Sequence, residues 1–182
     1  SMVLGTGKVV TASEDENPDL FHATCGGMGL TGVILSATIQ LITIRSSLIN
    51  QKTIKADCIE TACEAFEENS NSTYSVAWID CLAKGKSLGR SVLMLGEHAE
   101  KGGLELDIKK PVIVPFNSPS VLLNSLTMKI FNGSYWHKAK HNHTQTVPLM
   151  SYFYPLDAIG NWNKFYGKSG FLQFQCVIPK DD

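Results

Sequence analysis

The residues whose types and spacing come closest to chemistry lie in NPDLFHATCGGMGLTGVI, positions 17–34. Gly26, Gly27, Gly29 and Gly32 place four glycines in seven residues. Such a run lets backbone approach a ligand closely and offers N–H groups to phosphate or heterocycle oxygens. The competing reading is a tight helix-to-strand turn, which also needs glycine. A dinucleotide fold of the Rossmann type places its glycines between strand and helix, whereas here the order is helix, glycines, strand, and that fold is disfavoured.

A second group, His137, His141 and His143, invites a metal reading, because an i, i+4 histidine pair on a helix can bind zinc. No acidic or cysteine ligand accompanies these histidines, so a polar mobile loop over 135–145 is expected and no metal site is assigned. Cys25, Cys58, Cys63, Cys81 and Cys176 form an odd set without CxxC spacing. They read as reduced thiols, which points to a reducing compartment. The Asn-x-Ser/Thr matches at Asn71, Asn132 and Asn142 are taken as chance, since nothing suggests secretion.

At 182 residues with 43% hydrophobic and 18% charged side chains, the chain has the composition of a soluble globular protein. A formal net charge of −1 gives no electrostatic footprint for a polyanion, which argues against a nucleic-acid partner. No apolar run approaches the roughly 20 residues that a bilayer-spanning helix needs.

These candidates need a scaffold, and periodicity supplies one. A strand ending over 9–12 leads to a short helix from Pro18, with Asn17 as its N-cap. Alternation of Val33, Leu35, Ala37, Ile39 and Leu41 with polar residues predicts a half-buried strand over 33–44. Ile59, Ala62, Cys63 and Phe66 predict an amphipathic helix over 55–69. Two strands, 73–82 and 88–97, flank a polar glycine-containing loop and should pair as a hairpin. An irregular excursion follows at 100–117, then a helix from Ser118-Pro119 to Asn132-Gly133. Strands over 149–154 and 171–178, joined by a helix over 157–165, complete an α+β pattern: a mainly antiparallel sheet covered by helices on one side.

The glycine stretch closely resembles the segment near the end of the FAD-binding domain in flavoproteins of the vanillyl-alcohol-oxidase type, whose pattern is DLF, a few residues, then GGxGxxGV or GGxGxxGI. YSVAWIDCL at 74–82, LGRSVLMLGEHA at 88–99 and YPLDAIGNWNKFYGKSGFLQFQCVIP at 154–179 look like the decaprenylphosphoryl-ribose oxidase-like branch of that family. The resemblance implies a fragment in which 1–45 ends the FAD-binding domain and 46–182 is a substrate-binding cap domain, incomplete at its C-terminal end. Backbone around Gly26, Gly27, Gly29, Gly32 and Val33 would then contact FAD, with Val33 near the adenine. Trp78, Gln173 and Gln175 would line a substrate pocket over the flavin, and Phe153 stands where the family commonly has tyrosine.

The resemblance also implies oxidation of a secondary sugar hydroxyl by hydride transfer to FAD, on a small or lipid-linked sugar. The parent enzyme would be cytoplasmic, with peripheral membrane association, and its redox partner is not readable. No catalytic residue is assigned within this chain, which alone should be inactive and hold FAD weakly. The alternatives are an aldonolactone or alditol oxidase of the same superfamily, and a non-catalytic sugar-phosphate binding module.

Overall fold

A β-strand is stable only where a neighbour accepts its backbone hydrogen bonds, and that requirement decides which alternating runs became strands. The computed structural model describes residues 1–119, 123–170 and 172. The chain divides into two compact units, Ser1–Thr43 and Ile44–Asp182.

In the first unit, β1 (Met2–Val3) lies between β2 (Val9–Val10) and β3 (Val33–Ile34) and is antiparallel to both. The helix α1 (Pro18–Thr24) starts at the expected proline, whose missing N–H is no loss in a first turn. Asn17 does not cap it: its backbone is left-handed (φ 54°) and its side chain donates to the carbonyl of Thr11 at 2.7 Å. Two glycines of the following run are demanded by packing within the unit. A Cβ at Gly27 would stand 2.1 Å from the carbonyl oxygen of Ala23, and one at Gly32 2.3 Å from that of Val3.

The strand expected over 33–44 stops at Ile34. The N–H groups of Leu35 and Ser36 still reach the carbonyl of Ser1, but residues 37–43 have no ladder partner among the described residues. Ile39, Leu41 and Ile42 are exposed. Their alternation is real, yet no strand among the described residues pairs with it.

The second unit is built on β4 (Leu48–Ala56), β5 (Tyr74–Ile79), β6 (Ser91–His98) and β8 (His143–Pro148). They form one antiparallel sheet in the order β5-β6-β4-β8. The hairpin of β5 and β6 forms where alternation placed it. β4 escapes a search for apolar alternation because two of its buried side chains are polar, Gln51 and Thr53. Lys55 and Ala56 belong to this strand, so α2 (Ile59–Glu68) begins later than its periodicity suggested.

Ile54, Ala77, Leu93 and Leu95 share one face of the sheet and pack with Ala65 of α2. Helices do not keep to that side. α4 (Leu149–Phe153) lies on the opposite face, where Tyr152 is close enough to Gly96 that an added Cβ would stand 2.6 Å from its ring. Its hydroxyl donates to the carbonyl of Met94 at 3.0 Å. Residues 149–153 were expected as a strand. A short apolar run fits either state, and here the preceding strand β8 already takes the place beside β4. A short parallel pair of β7 (Val112–Ile113) and β9 (Ile159–Gly160) ties the 100–117 excursion to the region after α4. The single helix expected over 157–165 is instead the 3₁₀ turn Pro155–Ala158, β9 and the 3₁₀ segment Trp162–Ser169. The strand expected over 171–178 lies outside the described residues, apart from residue 172. No described helix is long and apolar enough to cross a membrane.

The helix expected from Ser118 starts instead as α3 (Ser125–Lys138). Asn124 decides this: its side-chain oxygen accepts from the N–H groups of Leu126 (2.8 Å) and Thr127 (3.1 Å), and Thr127 returns a bond to the Asn124 N–H. That reciprocal cap satisfies donors a helix start otherwise leaves open. Tyr135 to Lys138 therefore continue the helix, and His143 to Gln145 lie in β8, so the stretch expected as a mobile loop is largely regular structure.

Asp80 fastens α3 to the hairpin. Its carboxylate is buried and accepts from Arg90 Nε (2.9 Å), Arg90 Nη2 (2.7 Å), Asn132 Nδ2 of α3 (2.6 Å) and the Leu82 N–H (3.0 Å). Burial by itself pushes this carboxyl's pKa up, but the hydrogen bonds from Arg90, Asn132 and Leu82, with the charge of Arg90, outweigh it and hold the pKa below the ordinary value.

Removing one partner of a buried pair strands the other's charge, so Asp80→Ala should cost about 3–5 kcal/mol in urea unfolding. Because the folded-state pKa is depressed, the carboxylate's stabilisation is fully present above the unfolded value of ~3.9 and is lost as pH falls through the folded one. Asp80→Asn should accordingly flatten the dependence of stability on pH below that value, measured against the parent chain. In the first unit, Gly32→Ala should drive a Cβ into the Val3 carbonyl and cost about 1–3 kcal/mol. The measurement is lost amide-exchange protection over Met2 and Val3.

Candidate functional site

Antiparallel pairing sorts side chains into rows, because directly paired residues share a face. On the face opposite α2, three rows cross the sheet. Tyr74, Gly96, Gln51 and Gln145 form the first, Val76, Met94, Thr53 and His143 the second, and Trp78, Val92 and Lys55 the third. Adjacent rows stand about 7 Å apart, two residues along each strand.

Helices cover the outer rows. Over the first, Tyr152 of α4 lies on Gly96, and Phe153 meets the Tyr74 ring edge-on with centroids 4.8 Å apart. Burial, with the charge of Glu97 and the nearby Tyr74 adding to it, pushes the Tyr152 phenol up. Over the third, Tyr135 of α3 packs on Trp78 at 4.6 Å, and Lys55 Nζ sits 4.2 Å from the Trp136 ring centroid. Beside the end of α3, a cavity of about 430 Å³ opens over the second row toward β8, floored by Gln51, Thr53 and Met94. Lys138, Lys140 and His143 stand around it.

Two of the expected pocket residues lie on the same face without touching, and neither lines the cavity. Trp78 is half-buried on β5, and Phe153 of α4, 37% exposed, packs on Tyr74 at the other end of that strand. Phe153 has no hydroxyl to offer, and its ring serves the aromatic cluster with Tyr74, Tyr152 and Tyr154. Gln173 and Gln175 lie outside the described residues. The histidines do not share a helix: His137 is on α3, His143 is on β8, and His141 lies between them with Nδ1 accepting from the Lys55 N–H at 3.1 Å. Among the described residues no group of three or more His, Cys, Asp or Glu could hold a metal ion.

The expected cofactor-binding residues all lie in the first unit. Gly27 and Gly32 serve its internal packing, as above. Gly26 (φ 79°) and Gly29 (φ 76°) have open space where a Cβ would stand, so a flat or anionic ligand could reach their backbone. Val33 is exposed and paired with Val3, while Met28 and Leu30 are each 90% exposed. A separate cavity of about 610 Å³ in this unit is bordered by Thr11, Ser13, Phe21, Thr24 and Ile34.

Sequence reasoning missed Gln51, Thr53, Tyr135, Lys138, Lys140 and Gln145. One signal was available: Gln51, Thr53, His143 and Gln145 are each spaced two apart on their strands, as residues sharing a face must be. Reading it required knowing that β4 and β8 exist and pair.

No family model matches the chain. It is 35% identical over 175 residues, 90% of its length, to decaprenylphosphoryl-beta-D-ribose oxidase of Mycolicibacterium smegmatis, of which it spans 38%. It is 38% identical over 89 residues to an uncharacterized protein of Streptomyces coelicolor, covering 47% of this chain and 23% of that protein. Over 40 residues, 22% of the chain, it is 52% identical to cytokinin dehydrogenase 9 of Oryza sativa subsp. japonica, of which that stretch is 8%. A mixed α+β chain carrying this similarity over nine-tenths of its length is a homologue of the FAD-linked oxidoreductases of the vanillyl-alcohol-oxidase type.

Proposed function

We propose that this chain contributes a flavin-contacting segment and a substrate-facing wall to an FAD-dependent oxidoreductase that oxidises a secondary hydroxyl of a polyprenyl-phosphosugar-like substrate. The observation that carries this reading is the 35% identity over 90% of the chain to decaprenylphosphoryl-beta-D-ribose oxidase. The sheet face between α3 and α4 supports it, because aromatic walls around a few amides suit a sugar.

In this reading residues 1–45 belong to the FAD-binding part and 46–182 to the substrate-binding part. The open backbone at Gly26 and Gly29 fits close approach of a flavin nucleotide, and the neighbouring Gly27, Gly32 and Val33 shape that surface. FAD, when bound, supplies the acceptor for the hydride leaving the alcohol carbon. Trp78, braced by Tyr135, gives the sugar a flat apolar wall. Gln51 and Gln145 present amides two rows away on the same face of the sheet, and Gln173 and Gln175 are assigned to the same pocket. Phe153 closes the far end without a hydroxyl. The base that takes the alcohol proton is not assigned to any side chain of this chain. The whole enzyme is placed in the cytoplasm at the membrane surface, where a lipid-linked sugar is presented.

The test is the visible spectrum of the protein extended at both ends to the length of its relatives. Flavin bands that bleach anaerobically on addition of a polyprenyl-phosphosugar are expected, and a colourless extended protein would overturn the reading. In that extended protein Trp78→Ala should lower kcat/KM about tenfold, equivalent to roughly 1.4 kcal/mol of lost contact, with the flavin spectrum unchanged.

A further inference from the structure

The cavity between the end of α3 and strands β4 and β8 has an unusual lining. Gln51 and Thr53, 9% and 8% exposed, occupy inward positions of a central strand where apolar side chains are the rule. Gln51 Nε2 donates to the Thr53 hydroxyl at 3.3 Å, which holds both in place. Each has a polar partner directly across the ladder, Gln145 beside Gln51 and His143 beside Thr53. Lys138, the last residue of α3, and Lys140 stand at the rim, and among the described residues no aspartate or glutamate lines the cavity.

Two bland readings account for parts of this arrangement. Lys138 offsets the negative end of the α3 dipole, and exposed lysines are ordinarily just solvated. Neither explains why amide and hydroxyl groups are buried beneath the cations. The rim is also held: the Lys55 N–H bonds His141 Nδ1 at 3.1 Å, fixing the turn that carries Lys140 against β4, and His143 of β8 pairs with Thr53. Tyr135 lines the same cavity and packs on Trp78 at 4.6 Å, so the cavity adjoins the wall assigned to the sugar.

We infer that this cavity is an anion subsite that binds the phosphate of a phosphosugar, with Lys138, Lys140 and His143 facing the phosphate and Gln51, Thr53 and Gln145 donating to its oxygens or to the adjoining hydroxyls. The inference rests on the functional reading above and adds to it the place where the charged part of the substrate is held. Charge-assisted bonds to phosphate are among the stronger polar contacts. A group without the negative charge would leave two lysines with nothing to pair with.

The experiment is a titration of the isotope-labelled chain with ribose 5-phosphate, ribose and inorganic phosphate, followed by amide NMR shifts. Ribose 5-phosphate should shift Gln51, Thr53, His143 and Gln145, inorganic phosphate should do so more weakly, and ribose should not. Charge reversal in Lys138→Glu/Lys140→Glu should weaken binding about tenfold or more, while Lys138→Arg/Lys140→Arg retains it. Dispersed spectra in both variants show that the fold is kept. Equal response to ribose, or unchanged affinity after charge reversal, would overturn the subsite. Inorganic phosphate binding as tightly as ribose 5-phosphate would make this a site for free phosphate and overturn its link to the sugar. No flavin is needed here, so failure of the subsite and failure of the oxidoreductase reading are separate results: a flavin-bearing extended protein whose Lys138 and Lys140 ignore phosphosugar removes only the former.

Discussion

A carboxylate cannot be left buried without donors, and the structure of the larger unit follows from how Asp80 is supplied. Its donors come from the turn after β5, from the residue before β6 and from the middle of α3. Meeting that demand closes the neck of the hairpin and sets the height and rotation of α3 over the sheet in one step. With Asn132 held, Tyr135 and Trp136 are delivered to Trp78 and Lys55 one turn later, and Lys138 to the rim of the cavity. Arg90, which neutralises the carboxylate, also lies 5.4 Å from the Trp136 ring centroid, so one cation serves both contacts.

How much of this was legible depended on whether local pattern and tertiary environment agreed. The β5–β6 hairpin and α1 were readable because alternation, loop chemistry and Pro18 pointed the same way. β4 was not, because Gln51 and Thr53 are polar where a core strand is expected to be apolar. The start of α3 was displaced because Ser118-Pro119 is a plausible helix opening, and only the reciprocal bonds of Asn124 and Thr127 show which opening is used. α4 was misread because five residues, four of them apolar or aromatic, carry no period long enough to separate helix from strand.

The candidate site divides in the same way. Trp78 and Phe153 could be singled out as residues, but that they face the same side follows only from the pairing register and the seat of α4 on Gly96. The histidine-bearing stretch looked mobile because it is polar. It is polar because β8 is an outer strand of the described sheet, with most of its side chains in water. For the glycines, composition could not separate two structural demands: Gly27 and Gly32 have no room for a Cβ, whereas Gly26 and Gly29 have the room but a left-handed backbone.

The parallel pair of β7 and β9 joins Val112 to Ile159, and Val114 and Ser118 extend the contact to Gly160 and Lys164. Between the two segments the chain must first lay down α3, β8 and α4. Closing a loop of that length is costly in entropy and is rewarded by only a few hydrogen bonds. Held by only a few hydrogen bonds, this junction is expected among the first parts of its unit to open locally. The two ends of the 100–117 excursion are thus held unequally: Ser47, bonded to Glu105 and Gly103, ties its beginning to the large sheet where β4 starts, while its far end depends on a two-residue ladder with the chain beyond α4.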